Sequence, residues 1–471
     1  MIQFKQIFVN GAWVDSEGKN TLAVTNPVSE EVIATVPRGN KEDVDRAVKA
    51  AAAAFPSWSR TPIQTRSEMF SKLARLTAKR SEQITRTIVN ELGYPRSYVE
   101  KAQTAGAVEE LEIISETVGQ VRWDEQVGNT QVRREPSGVL AAITAWNAPL
   151  RSVIQKAGPA MAAGCTVVLK PSEVAPQTAF LFADIVAEAG IPPGVFNLVC
   201  GNGVEVGEAM ATHPLVDMVS LTGSVRSGSR VMELASSSIK RVHLELGGKS
   251  ANIILEDAEF EKAITDGLDD AMRNAGQVCG GLTRILVPRS RLAEAESIAV
   301  RKANSFVIGD PWEPTTTLGP VSTAAAQKRV RGYISSAIDD GVRMLTGGVD
   351  MPQGITRGYF VRPTVFSGDN NCRIAREEIF GPVVIIIPYD DEDDAVNIAN
   401  DSPYGLAAAV WAGSAVRARE TAKRLRVGRV RINGAPLNKR GTHGGFKLSG
   451  VGREWGRFAI EEFLEYQSVI G

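Results

Sequence analysis

Cysteine is scarce: only positions 165, 200, 279 and 372 of the 471 residues carry one, and no two form a CxxC pair. That spacing offers neither a disulfide framework nor a zinc site. Histidine is scarcer still, with His213, His243 and His443 alone, so no metal centre is expected. Charge of neither sign is in excess, since 53 basic residues face 54 acidic ones. Nucleic acid and anionic membrane surfaces are therefore not expected partners. The longest apolar run, PVVIIIP at 382–388, falls far short of the ~20 residues that a membrane span needs. The opening MIQFKQIFVNG lacks the basic start and apolar core of a secretory signal. These absences predict a cytoplasmic globular protein, too long for a single core and so built of two or three domains.

What is present is a regular alternation. IFVNGAWV alternates around an Asn-Gly pair and predicts a hairpin. Residues 41–55, 64–90 and 96–118 predict helices. Then β-rich runs at 139–145, 165–170, 195–199, 217–222 and 242–246 take turns with helical stretches, the pattern of a parallel sheet wound with helices. ANIIL, TRILVP, YFVRPTVF, PVVIIIP, LAAAVWA and GRVRIN repeat it. The expected fold is α/β, with two doubly wound domains in series joined near Gly247–Gly248. A polar, turn-broken stretch at 119–138 stands apart and predicts a protruding hairpin.

Ligands of open α/β sheets bind beyond the carboxyl ends of the strands, and four candidate sites fall there. In TAWNAPL, Asn147 is either a helix cap or an amide aimed at a developing oxyanion. In LKPSE, Lys170 and Glu173 are either a solvated flank or a clamp on a ribose, where the carboxylate would repel a 2′-phosphate. LTGSVRSG lacks the GxGxxG spacing, yet reads as a strand, a glycine turn and a helix start suited to a diphosphate. In LELGGKS, Glu245 closes an apolar strand. It is either half of a buried ion pair or a general base. Finally, AMRNAGQVCGGLTR sets Cys279 before two glycines, a bent loop with an incidental thiol or a nucleophile.

With EEIFGPVV and GGFKLSGVGRE added, these motifs stand in the order and spacing of the aldehyde dehydrogenase superfamily, which the whole chain resembles. The resemblance implies that Cys279 attacks an aldehyde, that Glu245 activates the deacylating water, and that Asn147 helps hold the oxyanion. It implies a dinucleotide site made by Trp146, Lys170, Ser172, Glu173, Gly223, Ser224, Gly247, Glu378 and Phe380. NAD is expected, with NADP possible. Ala148, Ser152, Gln155, Val278, Gly280 and His443 are the implied substrate-pocket residues. Relatives often carry bulk at several of these places, so bulky or aromatic aldehydes are expected, with surface roles for Arg151 and Arg431. Met272 stands where an aromatic is usual, and THGG stands for the common PFGG, which puts His443 at a substrate-facing position. The implied domains are 1–118 with 138–247 for NAD, 248–447 for catalysis, and 119–137 with 458–471 as strands pairing subunits of a homodimer or homotetramer. Two rivals stay open: a CoA-acylating dehydrogenase, in which Glu245 is superfluous, and a non-catalytic structural or binding relative.

Overall fold

A computed structural model describes residues 1–471. The Asn-Gly pair does what its residues favour. Asn10 and Gly11 both take positive φ, 54° and 77°, the turn whose twist matches two paired strands. The strands Gln6–Val9 and Ala12–Asp15 form that hairpin and add antiparallel to the edge of an eight-stranded sheet.

Five parallel strands make the body of this sheet: Val139–Ile143, Thr166–Lys170, Phe196–Leu198, Met218–Thr222 and Arg241–Glu245. Their spatial order is not their chain order. Val139–Ile143 pairs with Thr166–Lys170 on one side and with Met218–Thr222 on the other. The winding reverses there, and a crevice opens at that reversal. Alternation along the strands builds two cores. Leu140, Ala142, Val167 and Leu169 pack on one face, and Val139, Ala141, Ile143 and Val168 on the other. The helix Pro149–Ala163 leaves the crevice with proline at its start and stops at Gly164, φ 103°.

Past Glu245 the chain crosses to a second sheet. Its parallel strands are Ala251–Ile254, Arg284–Pro288, Thr364–Ser367, Val383–Tyr389, Ala407–Trp411 and Arg429–Ile432, around a core of their own. Gly450–Val451 then returns to the first sheet, antiparallel to Arg241–Glu245.

Several expectations need correction. The helix at 64–90 divides at Arg80 into Ile63–Lys79 and Ser81–Leu92, where the Ser81 hydroxyl donates back to the Ala78 carbonyl. In YFVRPTVF the strand begins only at Thr364, because Pro363 has no N–H to give a ladder. Residues 458–471 are not strand throughout: the helix Gly456–Glu461 comes first. The strand Leu464–Ile470 pairs along its whole length with Thr130–Pro136 of the hairpin. Hairpin and tail, which lack an evident partner in the sequence, are each other's. No helix is long and apolar enough to cross a membrane.

Candidate active site

The loop after the helix Phe260–Met272 is bent by three successive left-handed residues, Asn274, Ala275 and Gly276, at φ 52°, 54° and 75°. A Cβ on Gly276 would collide with the Gly381 carbonyl, so glycine is required there. Buried Gln277 pins the bend. Its Nε2 donates to Asn274 O at 2.8 Å, and its Oε1 accepts from Ser322 N at 2.9 Å. Cys279 follows, half-buried. Arg429 lies beside Gly280, where a Cβ would come 3.2 Å from a guanidinium nitrogen.

Asn147, just past the strand Val139–Ile143, reaches the same loop. Its Nδ2 donates to Gln277 O at 3.0 Å, and its carbonyl accepts from Asn274 Nδ2 at 3.2 Å. Glu245 ends its strand 3% exposed. Asn147, Glu245 and Cys279 line one recess. Ala148, Ser152, Gln155, Val278, Gly280 and His443 line it as well.

Other side chains in this recess are not singled out by the motifs. Tyr98, Arg273, Arg429, Glu454 and Trp455 also line it. Arg429 was detectable: with Arg431 it alternates along an otherwise apolar run, which puts both guanidinium groups on one strand face. Arg151 and Arg431 are not surface residues. Arg151 pairs with Glu110 at 2.6 Å and Arg431 with Asp270 at 3.0 Å, all four side chains largely buried. The His443 ring does more than face a substrate: Nε2 lies 3.2 Å from Glu245 Oε2, and Nδ1 lies 3.1 Å from Arg429 Nη1. Burial opposes a charged ring, but Glu245 and Cys279 outweigh it and lift His443 to about 9. An imidazole therefore adjoins the thiol, which the motifs alone do not foretell. His243 is buried and bonds Ser220 Oγ at 2.8 Å, while His213 caps a helix end. Donor atoms of Glu245, His443 and Glu454 lie within 4.8 Å of one another. Lys156 and Arg429 already supply cations to that cluster.

The dinucleotide candidates gather at the crevice. Lys170 is buried, not a solvated flank, and its Nζ lies 3.4 Å from half-exposed Glu173 Oε2. Ser172 Oγ accepts from Val174 N. Beyond Gly223, Ser224 caps the helix Val225–Ser236, accepting from Ser227 N. The exposed start of that helix presents N–H groups suited to an anion. Trp146 and Phe380 meet edge to face at 5.5 Å. Glu378 accepts from Gly248 N at 3.1 Å and fills the space where a Gly247 side chain would stand. Burial pushes its carboxyl up to about 7, against the Gly248 amide and Lys249.

A thiol, an amide donor and a carboxylate thus share one recess, beside a winding reversal with an exposed helix start. Residues 13–469 match the model of the Aldehyde dehydrogenase family, and the chain belongs to that family. It is 44% identical to a 3-succinoylsemialdehyde-pyridine dehydrogenase of a Pseudomonas species, over 100% of this chain and 99% of that one. Its fold matches a cysteine-to-alanine mutant of aldehyde dehydrogenase C from Pseudomonas syringae, solved with NAD+ and octanal. The TM-score is 0.98 at 45% identity, covering 99% of this chain and 96% of that one. It also matches a Mycobacterium tuberculosis aldehyde dehydrogenase solved with NAD+, at TM-score 0.97 and 38% identity, over 100% and 98% of the two chains.

Proposed function

We propose that this protein oxidises an aldehyde to its carboxylic acid with NAD, through a thioester on Cys279. The observation that carries the reading is the shared recess of Cys279, Asn147 and Glu245. The thiol sulfur adds to the carbonyl carbon, and the Asn147 amide with the Cys279 N–H stabilises the oxyanion, one such donor contributing about 10²–10³ in rate. NAD supplies the hydride acceptor. Its fit is supported by the crevice residues Lys170, Glu173, Ser224 and Glu378, and by the NAD+ held in two relatives of the same fold. Glu245 then takes a proton from water, which releases the acid. A buried carboxylate in the recess has work in hydrolysis and none in transfer to CoA, so water is the favoured acceptor.

Glu173 favours NAD over NADP. Bulky or aromatic aldehydes are the proposed substrates, in keeping with a pyridine semialdehyde and octanal in relatives' names. The assembly proposed is a cytoplasmic homodimer or homotetramer, joined through the sheet of hairpin and tail, whose Val127, Tyr466 and Ile470 are exposed. In the test, Cys279→Ala is expected to retain NAD binding by calorimetry and to lose NADH production from a mixed aldehyde panel. More than a tenth of wild-type turnover in the variant overturns the reading.

A further inference from the structure

We propose that His443 is a positioning residue for deacylation: it anchors Glu245 by one carboxylate oxygen and leaves the other turned to the attacking water. The inference rests on the reading of Cys279 as nucleophile and Glu245 as base. Three observations carry it. Glu245 Oε2 lies 3.2 Å from His443 Nε2, whereas Oε1 is buried with no partner, in a side chain that lines the recess of Cys279. A buried carboxylate oxygen left unpaired is costly unless something visits it.

The ring itself is held on several sides. Arginine only donates, so in the neutral ring Arg429 at 3.1 Å makes Nδ1 the acceptor and leaves the hydrogen on Nε2, facing Glu245. Trp455 stacks on the ring at 4.6 Å, with planes 22° apart. Backbone bonds in both directions tie His443 to Glu454, at 2.8 and 2.7 Å. Besides Glu245 and Arg429, the charged and titratable groups around the ring are Cys279, Glu454 with its partner Lys156, and His243. Burial and Arg429 oppose a second proton on the ring while Glu245 and Cys279 favour it; the neutral ring and the imidazolium alike carry the Nε2 hydrogen that faces Glu245.

A base oriented by a third group is the general arrangement of activated nucleophile sites. Here it serves the second half of the reaction. Water gives its proton to Oε1 and its oxygen bonds to the acyl carbon. The C–S bond breaks, the sulfur leaves with the electron pair, and Glu245 returns the proton to it.

The test compares wild type, His443→Phe, His443→Gln and Glu245→Gln by stopped-flow NADH formation and by intact mass of quenched enzyme. For His443→Phe, the first-turnover burst should stay within about threefold of wild type. Steady turnover should fall about tenfold to a hundredfold, the cost of a misplaced group, with the acyl adduct accumulating on Cys279. His443→Gln keeps an N–H for Oε2 and should recover most of the turnover. The proposal is overturned if His443→Phe turns over like wild type while Glu245→Gln stalls as acyl-enzyme. It is also overturned if burst and turnover fall together, or if the Gln variant is as slow as the Phe variant. Glu245→Gln indistinguishable from wild type would overturn the underlying reading instead.

Discussion

Replacing Lys156 by Met should destabilise the protein severely, and also replacing Glu454 should restore it. Lys156 sits in the helix Pro149–Ala163 with its side chain at 0% exposure, its Nζ 3.2 Å from Glu454 Oε1 and 3.1 Å from Ser220 Oγ. Glu454 is 4% exposed. Burial pushes its carboxyl up, Lys156 holds it down, and Glu245 nearby pushes it up again. Methionine matches the length of lysine and removes the cation, so a desolvated carboxylate stays beside a second one. Breaking such a pair from one side costs about 3–5 kcal/mol, whereas exchanging both partners for apolar groups is often neutral. For a cooperative unit of roughly 200 residues, each kcal/mol lowers Tm by about 2–4 °C. Lys156→Met should therefore melt at least about 6 °C below wild type at pH 7, and Lys156→Met with Glu454→Met within about 3 °C of it. At pH 5 the single variant's deficit should shrink, because Glu454 then protonates at less cost. Circular dichroism melts of the three proteins decide this. A single variant within 2 °C of wild type, or a double variant as damaged as the single, refutes the reasoning.

Glu91 is fully buried, accepts from Gln177 N through Oε1, leaves Oε2 unpaired, and is raised by burial from an ordinary 4.5 to about 8. The fold binds this proton more tightly than the unfolded chain does. Its stabilising effect is thus complete below about 4.5 and lost as pH rises to about 8. Glu91→Gln should match wild type in melts at pH 4.5 and exceed it at pH 9 by up to about 5 kcal/mol; equal stability at both pH values would remove Glu91 from the account. Glu173→Gln should lower the NAD-over-NADP ratio of kcat/KM about tenfold, since a charge pair at 4 Å is worth about 1 kcal/mol in water and about 4 near a protein surface. An unchanged ratio would show that this carboxylate does not meet the 2′ position.

Much of this architecture could be read from residue patterns because one signal, the alternation of apolar runs, acts locally and repeats. Asn10–Gly11 fixes its turn without help from the rest of the chain, and Ser224 caps its helix with its own hydroxyl. The legible part of the site was the part at strand ends, where motif and position coincide. Contacts between distant segments were not legible. His443 meets Glu245 and Arg429 only because the short strand Gly450–Val451 brings the chain back to the first sheet. Lys156 and Glu454 are 298 residues apart in sequence. The same holds for Leu464–Ile470 against Thr130–Pro136: each strand alone advertises an unpaired edge, and only the fold shows that the two edges cancel.

The crossing at Gly247–Gly248 gives the molecule a built-in reporter. The Gly248 amide is held by Glu378, a carboxylate 130 residues further along the chain that lies beside the crevice. A ligand that turns this carboxylate away from the amide must break that bond, and for such a ligand occupancy of the crevice and local opening of the crossing are coupled equilibria. Reciprocity then applies: whatever loosens the crossing changes ligand affinity by the same factor that the ligand loosens the crossing. Hydrogen exchange at that one backbone position should therefore track how full the crevice is, without any chemistry taking place.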